Sequence, residues 1–252
     1  MALVLAETVA GALAFLWLTP IWAEVKRGFF KLNGVLYLVL GLTAWVAARA
    51  GLVAGSSAGG WAVRLTLATA ALDGVATVLL FAKRDTAARV VGITSVAVAA
   101  ATLVAMAPLS RQGAALGLFQ LLAGAAFLGS VMDGLMLGHW YLTDRGLPRT
   151  PINRYTNILL VSVVCEAAAV ISGGFSGTGS SQAFNPLLTA GALAPWIALG
   201  MVGTTALIAA LVRAALRGER ASAVQSATGF YYLAVVTAFT AEVAVKTRFF
   251  VR

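Results

Sequence analysis

Eight long apolar stretches fill nearly the whole 252-residue chain, in which 60% of the residues are hydrophobic. A helix needs about 20 apolar residues to cross the hydrocarbon core of a bilayer. Helices and closed barrels are the structures that satisfy all their backbone hydrogen bonds there, and the continuous apolar runs lack the alternation typical of a barrel. The sequence therefore predicts an all-α, polytopic integral membrane helix bundle with about eight transmembrane helices.

The predicted spans cover residues 2–23, 32–53, 61–82, 88–108, 113–142, 152–173, 186–213 and 222–246. Because only 11% of the residues are charged, no sizeable soluble domain fits beside these spans, so residues 1–252 are predicted to form a single transmembrane domain. The first apolar stretch lacks a basic leading segment, which indicates a retained helix and not a cleaved signal peptide. Pro20 and Pro195 are predicted to kink the first and seventh helices.

The net charge of +9 arises from lysines and arginines concentrated in alternate loops. This pattern is typical of the positive-inside rule, so we interpret the charge as a topological signal and predict no nucleic-acid partner. It predicts a multi-pass protein of the inner (cytoplasmic) membrane with both termini outside. Lys246, Arg248 and Arg252, near the C-terminus, oppose this orientation, and an odd number of spans is the alternative. The basic loop residues are Lys26, Arg27, Lys31, Lys83, Arg84, Arg89, Arg145, Arg149, Arg154, Arg213, Arg217 and Arg220.

A polar stripe runs along the third predicted span and consists of Thr66, Thr69, Asp73 and Thr77. Their helical spacing places all four on one face, with the carboxyl near the middle of the membrane. A charged group at that depth is costly, so Asp73 is a candidate proton carrier or cation ligand. The alternative is a neutral aspartic acid that hydrogen bonds helix to helix.

Two further carboxyls lie deep in predicted spans. Asp133 and Glu166 are candidate members of a proton path, with Glu166 the expected partner of one of the two aspartates. The alternative for each is a structural hydrogen bond between helices. Glu7 and Glu242 lie nearer span ends and are interpreted as structural, since Glu242 can pair with Lys246 one turn away.

The fifth span ends in the sequence His139-Trp140-Tyr141 and is followed by Arg145. A histidine titrates near neutral pH and can hydrogen bond to a quinone carbonyl, while Trp140 and Tyr141 can flank a flat ring. These four residues form a candidate quinone or ligand pocket. The alternative is an interfacial aromatic anchor.

Neither the motifs nor the metal-ligating residues point to an autonomous enzyme. The sequence has no P-loop, dinucleotide fingerprint, nucleophile elbow or HExxH motif, and its single histidine and single cysteine predict no metal site and no heme held by this chain alone. A quinone is the cofactor that the His139 region favours. We therefore interpret the chain as a non-catalytic or quinone-interacting subunit.

Three functions remain as predictions. The first is a membrane subunit of a respiratory or electron-transfer complex, without its own metal centre, that contributes a quinone-facing pocket or a proton path. The second is a small proton-coupled transporter or channel, and the third a structural or assembly subunit. The expected partners are the lipid bilayer and other membrane or peripheral subunits.

Overall fold

The computed structural model describes residues 1–52, 56–144, 146–175, 186–218 and 222–249. The serine- and glycine-rich loop at 172–185, which the sequence predicts to be a plain connector with a lid or partner-docking segment as the alternative, lies mostly outside the described residues. Seven of the described helices are long and apolar enough to cross a membrane, and α1 is a shorter apolar helix. The predicted all-α membrane bundle is confirmed. The helices are α1 (Ala2–Leu18), α2 (Ile21–Glu24), α3 (Arg27–Gly51), α4 (Ser57–Phe81), α5 (Asp85–Met106), α6 (Ala114–Thr143), α7 (Thr150–Ser172), α8 (Pro186–Leu216) and α9 (Ser222–Lys246).

The first predicted span is shorter than the sequence indicated. Helix α1 ends at Leu18, and Thr19 adopts an extended conformation, as residues before a proline commonly do. Pro20 then precedes the four-residue helix α2, so it ends α1 where the sequence predicted a kink. Helix α8, in contrast, continues through Pro195.

The long helices pack as two groups of four with the same pairing pattern. In the first group, α1 packs against α3 and α5, and α4 packs against both of these. In the second group, α6 packs against α7 and α9, and α8 packs against both of these. The two groups meet mainly where α1 lies along α6. We call them the first half and the second half.

Glycines allow α1 and α6 to approach closely. A Cβ atom on Gly11 would clash with the carbonyl oxygen of Ala125, and one on Gly129 would clash with the backbone of Gly11. Backbone therefore touches backbone, as is common where small residues line membrane-helix interfaces. Because Glu7 approaches Gly124 and Gly11 approaches Gly129, the two helices run parallel.

One end of the bundle, which we call the basic end, carries α2 and residues 82–84 and 146–149. The Arg154 guanidinium donates hydrogen bonds of 2.7 and 2.9 Å to the two oxygens of Glu24 and lowers the pKa of that carboxyl. These contacts bring together the ends of helices that are distant in sequence. Between described residues, the ion pairs at this end are Lys26–Asp144, Arg27–Asp85 and Arg154–Glu24.

Candidate functional site

Four ionisable side chains meet inside the bundle, well away from the basic end. The Lys246 Nζ atom lies 2.7 Å from Glu7 Oε1 and 3.2 Å from Glu242 Oε2. Glu166 interacts electrostatically with all three of these residues. The three glutamates are 0% exposed and Lys246 is 6% exposed. We call Glu7, Glu166, Glu242 and Lys246 the carboxyl–lysine cluster.

Helices from both halves build this cluster. Glu7 comes from α1, Glu166 from α7, and Glu242 and Lys246 from successive turns of α9. Helix α6 leaves room for them at Gly124, where a Cβ atom would lie 2.7 Å from Glu242 Oε1 and 2.9 Å from Glu7 Oε1. The cluster therefore adjoins the contact between the two halves.

The charge of the cluster does not balance if all its groups are ionised. Three carboxylates and one ammonium would leave a net charge of −2 in an interior with little access to water. Burying an uncompensated charge costs several kcal/mol per ion even after the protein relaxes. Transfer of the same ion from water into an idealised medium of low dielectric constant would cost on the order of 20 kcal/mol. The cluster is neutral when its carboxyls together hold two protons.

A polar passage links the carboxyl–lysine cluster to the end opposite the basic end. Lys246 Nζ donates to the Gln120 carbonyl oxygen over 3.3 Å, and the Gln120 amide donates to Gln112 Oε1 over 2.9 Å. Gln112 is exposed and donates in turn to the Gly173 carbonyl oxygen. A cavity of about 30 Å³ adjoins both glutamines. A water molecule needs about 10–15 Å³ of such space, so this cavity has room for water.

A second group of buried polar side chains lies nearer the basic end. The Tyr37 hydroxyl donates to Asp133 Oδ1, and Tyr155, which interacts electrostatically with the same carboxyl, donates to the Phe15 carbonyl oxygen over 3.0 Å. Tyr37 also interacts electrostatically with Asp73. We call Tyr37, Asp73, Asp133 and Tyr155 the tyrosine–aspartate cluster.

Asp73 occupies the first half and differs from its neighbours on α4. Thr66 and Thr69 donate their hydroxyl protons to carbonyl oxygens one turn earlier in the helix, whereas neither Asp73 oxygen has a hydrogen-bond partner among the described residues. All four residues of the predicted stripe are buried. A cavity of about 10 Å³ adjoins Thr66, Thr69 and Thr102. Of these residues, Thr69 lies one turn before Asp73 on α4.

The two clusters lie at different depths. Along α6, Gly124 touches the carboxyl–lysine cluster and Asp133 belongs to the tyrosine–aspartate cluster. These positions are nine residues apart in the sequence, or about 14 Å at 1.5 Å per residue. Glu166 was expected to partner Asp73 or Asp133, but the structure places it beside Glu7, Glu242 and Lys246 instead. Tyr37 and Tyr155 were not among the site residues predicted from the sequence.

The sequence contained an indication of the carboxyl–lysine cluster. Glu7, Glu242 and Lys246 lie within predicted apolar spans, where ionisable residues are functional candidates by default. Glu7 and Glu242 were nevertheless interpreted as structural, because they lie nearer the span ends. In the pattern of loop charges, Lys246 opposes the positive-inside orientation. Its burial between Glu7 and Glu242 gives it a different role, as an internal counter-ion.

His139 forms a pair with a tyrosine of α9. The Tyr232 hydroxyl hydrogen bonds to His139 Nε2, and His139 Nδ1 lies 3.1 Å from the Leu135 carbonyl oxygen. The ring centroids of His139 and Tyr232 are 5.1 Å apart in an edge-on arrangement. Tyr232 is about half exposed at the outer surface of the bundle. The pair thus presents an imidazole and a phenol near the basic end.

The other candidate pocket residues have different contacts. Trp140 packs against Phe29 of α3, with ring centroids 6.0 Å apart. The Tyr141 hydroxyl donates to the Pro148 carbonyl oxygen and so fastens the loop that follows α6. Arg145 lies outside the described residues. The structure therefore places His139 and Trp140 against different helices, α9 and α3.

Comparison with protein-family models, with curated proteins and with solved structures found no match. What is established is a multi-pass, all-α membrane protein in a lipid environment, with two buried polar clusters.

Proposed function

We propose that this chain carries protons across the membrane, with the two clusters as successive proton-binding stations. The observation that carries the proposal is the carboxyl–lysine cluster, in which three fully buried carboxyls share one ammonium group. Such a cluster holds protons that it can pass on, because charge neutrality requires two protons on three carboxyls. Buried ionisable groups of this kind mark proton relays in membrane proteins.

The surroundings of the clusters suit proton transfer. Gln120, Gln112 and the adjoining cavity offer a hydrated approach from the end opposite the basic end. Deeper in the bundle, the Asp133 carboxyl accepts a hydrogen bond from the Tyr37 hydroxyl, and Asp73 supplies a further carboxyl near Tyr37 in the first half. Water molecules would bridge the remaining interval of about 14 Å between the clusters.

The size of the cavities favours protons over a larger cargo. The cavity at Gln112 and Gln120 measures about 30 Å³ and the cavity at Thr66 and Thr69 about 10 Å³, whereas pockets for small organic molecules measure about 300–1,000 Å³. We therefore favour a proton path in a membrane subunit of an electron-transfer complex over a transporter of an organic substrate. In the orientation that the loop charges predict, the basic end faces the cytoplasm.

Infrared spectroscopy of the carboxyl groups tests this proposal. In protein reconstituted into lipid, we expect the C=O stretching band of protonated carboxylic acids to change as the external pH is varied. Glu166→Gln should remove part of that change, because it replaces one proton-binding carboxyl by an amide of the same shape. Asp85→Asn, at the partly exposed Arg27 pair of the basic end, is the matched control and should leave the change that Glu166→Gln removes as it is in the wild type. A band that does not respond to pH would identify the carboxyls as fixed structural groups.

The His139–Tyr232 pair supports a quinone-binding site beside the proton path. An imidazole and a phenol that are hydrogen bonded at the lipid-facing surface offer polar contacts to the carbonyl oxygens of a quinone headgroup. Helices α6 and α9, which carry the pair, also carry Asp133 and the Glu242–Lys246 pair. A quinone bound here would lie beside the helices that build the proton path.

His139→Ala tests the quinone site. We expect the variant to bind a ubiquinone analogue at least about tenfold more weakly, since about 1.4 kcal/mol of lost hydrogen bonding corresponds to a factor of ten. Binding is followed by quenching of tryptophan fluorescence in detergent, and circular dichroism checks that the helices remain intact. Trp61→Phe, near the start of α4 at the opposite end of the bundle, is the control and should keep the wild-type affinity. Equal affinity of wild type and His139→Ala would remove His139 from any quinone site.

A further inference from the structure

A groove opens between α7 and α8 near the basic end of the bundle. Its volume is about 300 Å³. No member of either buried cluster lines it, and the proposed proton path does not use it. The residues that line it are Asn153, Thr156, Asn157, Arg213, Leu216 and Arg217.

The polar residues of the groove face each other in two rows. Asn153 and Asn157 occupy successive turns of α7, Arg213 lies in the last turn of α8, and Arg217 directly follows that helix. The Arg213 guanidinium donates to Asn157 Oδ1, which fixes its position across the groove. None of the described lining residues is acidic, so the two guanidinium groups present their positive charge to whatever enters.

An apolar strip continues from the groove toward the middle of the membrane. On α7, Val161 and Val164 follow Asn157 on the same face and are 64% and 69% exposed. On α8, Ala210 and Gly203 continue the face of Arg213, and a Cβ atom on Gly203 would meet open space. The small residues of α8 and the exposed valines of α7 thus form an exposed apolar surface beside the charged groove.

We propose that this groove binds the anionic headgroup of a phospholipid from the leaflet at the basic end. Arginine forms strong, charge-assisted hydrogen bonds with phosphate, and the asparagine amides offer donors to the remaining oxygens. Basic pockets between membrane helices are known to take anionic headgroups. The apolar strip favours a lipid over free phosphate, because one acyl chain of the lipid can lie along Val161 and Val164.

Lipid binding to the full-length protein in a neutral detergent tests the site. Native mass spectrometry is recorded after addition of phosphatidylglycerol, phosphatidylcholine or inorganic phosphate. We expect the wild type to retain phosphatidylglycerol in preference to phosphatidylcholine. The double variant Arg213→Gln/Arg217→Gln should lower the affinity for phosphatidylglycerol by about tenfold or more, since each arginine near the surface contributes attraction for an anionic lipid.

Two further variants make the result specific. Arg217→Gln alone keeps the bond between Arg213 and Asn157, and we expect a several-fold loss without disturbance of the fold. Arg84→Gln/Arg89→Gln removes the same charge elsewhere near the basic end and should leave the affinity unchanged. Equal retention of phosphatidylglycerol by wild type and both groove variants would overturn the proposal. Binding of inorganic phosphate with equal affinity would also overturn it and would indicate a site for the free anion.

Discussion

Lys246→Met is expected to lower the free energy of unfolding by about 3–5 kcal/mol, the usual effect of breaking a buried ion pair by removing one partner. The substitution removes the ammonium group that lies 2.7 Å from Glu7 and 3.2 Å from Glu242. The carboxyls then remain together in the interior without that counter-charge. Methionine has a similar length, so the loss reflects charge more than packing. Thermal unfolding in detergent, followed by circular dichroism, measures the effect.

The same substitution at Lys26 provides the control. Lys26 also forms an ion pair, at 2.9 Å from Asp144, but its side chain is 74% exposed. Exposed pairs contribute about 0–1 kcal/mol, so Lys26→Met should have little effect. A second variant, Lys246→Met/Glu242→Gln, should recover part of the stability because it also removes one buried carboxyl. If Lys246→Met lowered the free energy of unfolding as little as Lys26→Met, the carboxyl–lysine cluster would not be a buried charge network.

The helical membrane fold could be predicted from the sequence, because the length of the apolar runs decides it. A run of about 20 apolar residues has to form a helix in a membrane, and the alternate basic loops indicated which helix ends lie together. The ion pair between Glu24 of α2 and Arg154 of α7 joins two helix ends at the basic end. The end of α1 at Leu18 was missed, because Pro20 permits either a kink or a break.

The pairing of the helices could not be predicted from the spans. Gly11 and Gly129 each sit among many small residues, and nothing in the sequence indicates that these two touch. Similar apolar helices can pack in many orders, because lipid tails and apolar side chains are equally hydrophobic. The division into two halves therefore came from the structure.

The candidate site was predicted in part. Helical spacing placed Asp73 on a polar face, and its burial agrees with that placement. Which carboxyls meet depends on helix packing, so the neighbours of Glu166 were missed. The spacing of Glu242 and Lys246 predicted a local pair, and that contact is present. Sequence spacing could not reveal that Glu7, on a distant helix, approaches the same lysine.

Glu166→Gln and Asp133→Asn are expected to slow proton transfer by about 100-fold each, the lower part of the range for loss of a positioned proton-transfer group. Each variant replaces a proton-binding carboxyl by an amide of nearly the same shape, one in each cluster. Because the amide oxygen introduced by Asp133→Asn can still accept the hydrogen bond from Tyr37, the fold should be kept. Size-exclusion chromatography checks assembly, and Asp85→Asn is the control. Loss of assembly with unchanged transfer in the folded fraction would support a structural role for both carboxyls.

Proton entry into sealed vesicles that contain the unmodified protein tests the central claim most directly. A potassium gradient with valinomycin sets an inside-negative potential, and a pH-sensitive dye inside the vesicles reports proton entry. We predict that vesicles with the wild-type protein acidify faster than protein-free vesicles, and that Glu166→Gln returns the rate to that of protein-free vesicles. Equal rates with wild type, Glu166→Gln and no protein would contradict a proton path through the carboxyl–lysine cluster.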